Sequence, residues 1–300
     1  MLPAEGHGEV AFYGGTFTLL PPAEQRDYLQ LAARFTAAGR ISGSRVSTRP
    51  DALPTEAIAQ LADQGCRTVE LGCQSFSPAV LRAAGRSYGA AQVADAVAGL
   101  RARSLQVGLQ LMPGLPGGDR QEALDSLRAA LELQPDFLRI YPTLVFAGTR
   151  LAEDWSRGSF QPWTLEQAVD CCSELLWHCQ RAKVPVIRLG LQGQARFEQG
   201  DGPLAGPYHP AFGQLVRSKL WRKGLETALD LEPGSQWQVH PFDLPDALGH
   251  RKDNLAHFRT LRQGFSLRGD PELGRDRLRC GGEIFSLQQL VTFSKRNLTT

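Results

Sequence analysis

The stretch Val10-Ala11-Phe12-Tyr13-Gly14-Gly15-Thr16-Phe17 decides how the rest of the chain is read. A short apolar run ends in paired glycines, and a helix-forming segment over residues 23–38 follows. Strand, tight turn and helix in that order set backbone amides at the carboxyl end of a strand, where a helix begins. Paired glycines there let a ligand approach the main chain with no Cβ in the way. A plain βα turn uses the same residues. The weight of the stretch therefore depends on whether its pattern recurs.

It does recur. Apolar or β-branched runs at residues 10–13, 45–48, 68–72, 106–112, 137–142 and 184–191 read as strands. Between them, residues 23–38, 55–64, 90–103, 120–133 and 165–181 read as helices, two of them opening on the polar starts Pro54-Thr55-Glu56 and Thr164-Leu165-Glu166. Strict alternation predicts an α/β fold on a parallel sheet, either open and doubly wound or a complete or partial barrel. Past each strand lies a polar, glycine-rich or proline-rich segment: Gly14-Gly15-Thr16, the run from Ser47 to Asp51, Gly72-Cys73-Gln74-Ser75, the run from Met112 to Gly117, and Tyr141-Pro142-Thr143. In a parallel α/β protein these ends share one face, and five together point to a ligand site.

After residue 192 the alternation weakens. Residues 1–192 are expected to form the barrel-like domain and residues 193–300 an α+β extension. In the extension, residues 209–229 read as a helix carrying Arg217, Lys219, Arg222 and Lys223, residues 237–240 as a strand and 253–262 as a helix. Residues 268–279 read as charged turns, and 284–293 as strand or helix.

Composition narrows the function classes. With 33 basic and 31 acidic residues the formal charge is +2, so nucleic-acid binding would have to be local. No apolar run approaches the ~20 residues of a membrane helix, and the first nine residues lack the regions of a signal peptide, so the expected setting is cytoplasmic. The six cysteines, Cys66, Cys73, Cys171, Cys172, Cys179 and Cys280, form no CxxC pair or zinc-like spacing. No metal ligands are expected. Cys172 and Cys179 share a helix face and read as core, while Cys73, ending a strand, is the thiol with more claim to function. His209 reads as the cap of the following helix, His178 and His240 as structural, and Asp51 as a turn residue. A phosphosugar-type isomerase or lyase lacks support, because no lysine or carboxylate pair sits past the strand ends; Glu70 lies inside a strand.

FYGGTF (12–17), STRPD (47–51), VELGCQSF (69–76), GRSY (85–88), LQLMPGLPG (109–117) and RIYPTLV (139–145), in this order and spacing, resemble the radical S-adenosylmethionine superfamily. The resemblance continues through PVIRLGLQ (185–192) and LAGPYHPAFG (204–213), and is strongest to the branch of the Elongator catalytic subunit, with anaerobic coproporphyrinogen oxidases more distant. It implies a partial (β/α)6 barrel. It also implies that Tyr13, Gly14, Gly15 and Thr16 receive the methionine amino end of S-adenosylmethionine, that Ser47 and Gln74 lie near the ribose, and that Arg86 pairs with the carboxylate. Met112, Gly114, Leu115 and Tyr141 would line the adenine side. A bidentate guanidinium suits a carboxylate.

The family also uses a 4Fe-4S cluster held by a CxxxCxxC loop, and no such spacing occurs here. That loop is expected upstream of FYGGTF, with a first barrel strand before it. The chain is accordingly expected to be a truncated radical enzyme that neither assembles the cluster nor cleaves S-adenosylmethionine. The alternative is a cluster-free nucleotide- or RNA-binding module or partner subunit. The resemblance further implies tRNA or another RNA as partner, while room for an acetyltransferase domain is lacking. It assigns no catalytic residue, and neither substrate nor oligomeric state follows from it.

Overall fold

A computed structural model describes residues 8–194, 197–231, 234 and 236–293. In chain order its elements are β1 (Glu9–Phe12), α1 (Pro22–Ala37), β2 (Gly43–Thr48), α2 (Thr55–Asp63), β3 (Cys66–Gln74), α3 (Pro78–Ala83), α4 (Ala90–Ala102), β4 (Gln106–Leu111), α5 (Arg120–Glu132), β5 (Phe137–Ile140), α6 (Arg150–Ser156), α7 (Leu165–Arg181) and β6 (Val186–Leu189). There follow α8 (Phe212–Leu231), β7 (Gln236–Val239), α9 (Leu244–Leu248), α10 (Asp253–Leu261), β8 (Ser266–Gly269), β9 (Arg277–Cys280), β10 (Glu283–Ser286) and α11 (Leu287–Leu290).

The first six strands lie in sequential order, β1-β2-β3-β4-β5-β6, as a parallel sheet curled into a half-barrel. Sequential order with helical crossovers is what barrel closure produces; an open doubly wound sheet reverses its order at a switch point. The partial TIM-like barrel is therefore the observed α/β architecture. Helix starts follow local chemistry. Asp119 accepts from the Glu122 amide at 2.8 Å to cap α5, and Thr164 with Gln167 forms a reciprocal box at α7. Three helices without a sequence signal appear: α3 and α9 are only six and five residues long, and α6 buries none of its side chains, so none writes a clear apolar stripe.

Two compact units emerge. The first takes the described residues up to Thr143 with Arg157–Pro162 and Ala182–Arg188; the second takes Leu144–Ser156, Trp163–Arg181 and the described residues from Leu189 onward. The second unit thus gathers α6 and α7 from within the barrel's stretch of sequence, besides the segment from residue 193.

Within the second unit a four-stranded sheet runs in the order β10-β9-β7-β8, with β7 parallel to β8 and the other pairs antiparallel. Residues 268–279, expected as turns, supply the end of β8 and most of β9. Arg277, Leu278, Arg279 and Cys280 alternate between outward and buried positions, so a one-sided strand writes a charged sequence. Residues 284–293 are both strand and helix: β10 ends and α11 begins at the capping Ser286.

Candidate functional site

The two faces of the half-barrel sheet carry opposite chemistry. Val46, Val69, Leu71, Val107, Leu109, Leu111, Leu138 and Ile140 form one face and are buried. On the other, register aligns Arg45 with Thr68 and Gln106, Ser47 with Glu70 and Gly108, and Gly72 with Gln110 and Arg139. A strand alternates its side chains, so one polar residue at every second place in adjacent strands makes a polar floor. Gly108 is required there. A Cβ on it would come within 2.1 Å of the Phe137 ring.

Glu70 is the hub of this floor and only 2% exposed. Its Oε1 accepts from Tyr13 Oη and Arg45 Nη1, both at 2.9 Å, and its Oε2 from Arg139 Nη1 at 2.6 Å. Arg45 also donates to Glu9 through Nε at 2.9 Å, and Glu9 accepts from Thr68 at 2.7 Å. Burial works against the charge of both arginines, but hydrogen bonds to Glu70, and for Arg45 to Glu9 as well, more than offset it and raise their pKa. Burial, reinforced by the Glu70 charge, raises the pKa of the Tyr13 phenol, and burial raises that of Tyr141. Both phenols remain proton donors across the neutral range.

The Arg139 guanidinium lies 4.8 Å from the centre of the Tyr13 ring and 5.2 Å from that of Tyr141, joining two of the residues picked from the sequence. Its Nε is buried and has no hydrogen-bond partner among the described residues. Next to this stack, Tyr13, Gly14, Gly15 and Thr16 line an open cleft of about 340 Å³ together with Phe17, Leu20 and Tyr28. Gly14 has φ +116°, and space around it is open.

Other expected positions form a second group at the ends of β3 and β4. Gln74, in a left-handed conformation at φ 67°, accepts from Gln110 Nε2 at 3.2 Å, and its carbonyl accepts from the Met112 amide at 2.8 Å. Thr143 donates its amide to the Pro113 carbonyl at 2.9 Å and its hydroxyl to the same oxygen at 3.1 Å, which fixes the buried turn containing Gly114 and Leu115. Ser47 sits on the polar face opposite Glu70. Arg86 stands half-buried after Gly85, its charge acting on Tyr88, and joins neither group by a hydrogen bond or ion pair among the described residues.

Several single-residue readings are decided by packing. Asp51 is tied locally: it accepts from Arg49 at 2.9 Å and Ser87 at 3.0 Å. His209 Nδ1 accepts from the Ala211 amide at 3.0 Å, at the start of α8. Cys172 and Cys179 are fully buried core residues. Cys73 belongs with them: it too is fully buried, burial drives its thiol pKa far up, and no reactive thiolate forms there. On α8, Arg217 pairs with Asp246 at 2.6 Å, Lys219 with Asp170 at 2.8 Å and Arg222 with Glu226 at 3.2 Å, while Lys223 lies 5.0 Å from the Phe293 ring centre. These cations are already engaged.

Comparison with known proteins agrees with this architecture. The Radical SAM superfamily model matches residues 1–130, and the Radical_SAM C-terminal domain model matches residues 135–222. A tRNA uridine(34) acetyltransferase of Methanocaldococcus infernus is 33% identical over 141 residues, 46% of this chain and 26% of that protein. Elongator complex protein 3 of Drosophila melanogaster is 28% identical over 189 residues, 56% of this chain and 34% of that protein. The solved archaeal Methanocaldococcus infernus Elp3 with an N-terminal deletion superposes with a TM-score of 0.63 at 26% identity, covering 72% of this chain and 54% of that one. The matched part thus spans 26% and 34% of those two curated relatives. The chain belongs to the radical S-adenosylmethionine superfamily, in its Elongator-like branch.

The family implies S-adenosylmethionine and a 4Fe-4S cluster. The residues present fit the first: an open left-handed glycine, the Tyr141 phenol and an arginine Nε without a partner among the described residues suit a zwitterionic nucleoside. They do not fit the second. All six cysteines are buried, and among the described residues no three His, Cys, Asp or Glu side chains converge on a metal position.

Proposed function

We propose that this chain is the S-adenosylmethionine-binding barrel of an Elongator-like RNA-modifying protein, acting in the cytoplasm with tRNA as its substrate class. The observation that carries the reading is the Tyr13–Arg139–Tyr141 stack anchored on Glu70 beside the Gly14-Gly15-Thr16 mouth. Backbone groups at the mouth receive the amino end of the cofactor, because paired glycines leave the main chain open to it. Arg86 is suited to the carboxylate, and Ser47 and Gln74 offer hydrogen bonds to the ribose. Met112, Gly114, Leu115 and Tyr141 form the adenine side. Glu70 holds Arg45, Arg139 and Tyr13 in fixed positions beneath the ligand. S-adenosylmethionine, when bound, supplies the cleavable sulfonium. The tRNA assignment rests on the relatives named as tRNA uridine(34) acetyltransferases.

The placement of the six cysteines favours a second reading of these 300 residues, in which the nucleoside is bound and not turned over. Anaerobic reconstitution with iron and sulfide, followed by visible absorbance and a deoxyadenosine assay, separates the two activities. The expected result is saturable binding of S-adenosylmethionine by calorimetry with neither cluster absorbance nor deoxyadenosine. Appearance of both signals would overturn the cysteine argument, and absence of binding would overturn the barrel assignment.

A further inference from the structure

The four-stranded sheet of the second unit buries Trp237, Val239, Leu267, Leu278 and Cys280 on one face and turns a polar face outward. Register places Arg268, Gln238, Arg279 and Ile284 side by side across β8, β7, β9 and β10. At the usual strand spacing this row is roughly 14 Å long. Just past β7, Phe242 is 75% exposed. The His240 ring lies 5.3 Å from it and the Arg275 guanidinium 5.9 Å.

These groups are held in place rather than merely exposed. His240 Nδ1 accepts from the Phe242 amide at 3.1 Å. Buried Asp243 accepts from Arg275 at 2.6 Å and from the Asp276 amide at 2.7 Å. Asp270 pairs with Arg279, which also donates to Gln238 Oε1 at 3.2 Å. Arg268 and Arg277 are exposed and make no ion pair among the described residues, in contrast to the engaged cations of α8. The face therefore offers two uncommitted positive charges, two braced guanidinium planes and a fixed aromatic pair.

We propose that this face docks a single-stranded segment of RNA, with an unpaired base stacked on Phe242 and His240 and backbone phosphates on Arg268 and Arg277. Charge selects the occupant. Phosphates require unpaired cations, and unstacked bases require aromatic or guanidinium planes. A duplex keeps its bases stacked and offers none to Phe242. An apolar protein partner finds no continuous patch, because the row around Ile284 consists of Arg and Gln. The surface lies beyond residues 135–222, outside both family matches. The inference rests on the reading of RNA as this protein's partner and adds where the RNA docks.

The test is fluorescence anisotropy of a labelled single-stranded oligouridylate and a duplex of equal length, titrated with the 300-residue chain at several salt concentrations. Phe242→Ala is expected to weaken single-strand binding about fivefold to tenfold, and Phe242→Tyr to retain it. Arg268→Gln with Arg277→Gln is expected to reduce the salt slope by about 1.4. S-adenosylmethionine binding, measured on the same variants, is expected to be unchanged. Unaltered RNA affinity in Phe242→Ala, or equal affinity for duplex, would overturn the docking surface while the cofactor reading stands. A chain that binds S-adenosylmethionine but no RNA would overturn both this surface and the tRNA assignment. A concentration-dependent dimer abolished by Phe242→Ala would assign the face to a second copy instead and overturn the proposal.

Discussion

Both sheets alternate apolar and polar side chains, yet they use their polar faces in different ways. In the half-barrel, charge is closed on itself: Glu70 takes Arg45, Arg139 and Tyr13, and Glu9 takes Arg45 and Thr68. In the four-stranded sheet, buried Asp243 and Asp270 steady two arginines, while Arg268 and Arg277 stay uncommitted at the surface. A network of mutually paired charges in a low-dielectric setting is costly to disturb and so makes a rigid floor. Uncommitted surface charge costs little to keep and is available to a partner.

Disturbing the hub gives the largest effect. Glu70→Ala leaves two guanidiniums, each less than a fifth exposed, without their shared carboxylate. A loss of about 3–5 kcal/mol in unfolding free energy by urea titration is expected; a loss below about 1 kcal/mol would show that the floor is not held by this residue. Gly108→Ala drives a methyl group into the Phe137 ring and is expected to cost about 1–3 kcal/mol in the same measurement. Arg268→Gln on the open face is expected to change stability by less than about 0.5 kcal/mol. A larger loss would mean that its charge is engaged in the fold after all, and the contrast between the sheets would fail.

The same contrast explains what was legible in the sequence. Six strands in βα alternation wrote themselves clearly, because each short apolar or β-branched run is bounded by polar turns. The strand-end residues were legible for the same reason. The floor was not: Glu70, Arg45, Arg139 and Glu9 sit inside strands, where a charged residue reads as a misfit rather than a site. Its signal lay in the every-second-residue alternation of Arg45, Ser47 and Arg49, of Thr68 and Glu70, and of Arg139 and Tyr141, repeated across neighbouring strands. In the second sheet, Arg277-Leu278-Arg279-Cys280 hid a strand behind its charge. Arg86 stayed apart from both groups of the candidate site, since a residue beyond a short helix is placed by tertiary packing that no local pattern encodes.

Calorimetric titration of S-adenosylmethionine into the 300-residue chain and its Gly14→Val variant tests the central claim most directly. At φ +116° a β-branched residue cannot hold this turn, while the open space around Gly14 leaves the core untouched. The expected result is saturable one-to-one binding that weakens at least tenfold in the variant, with the variant still folded and losing no more than about 1–3 kcal/mol in urea unfolding. Equal affinity in the two proteins would contradict the assignment of the glycine mouth to the cofactor.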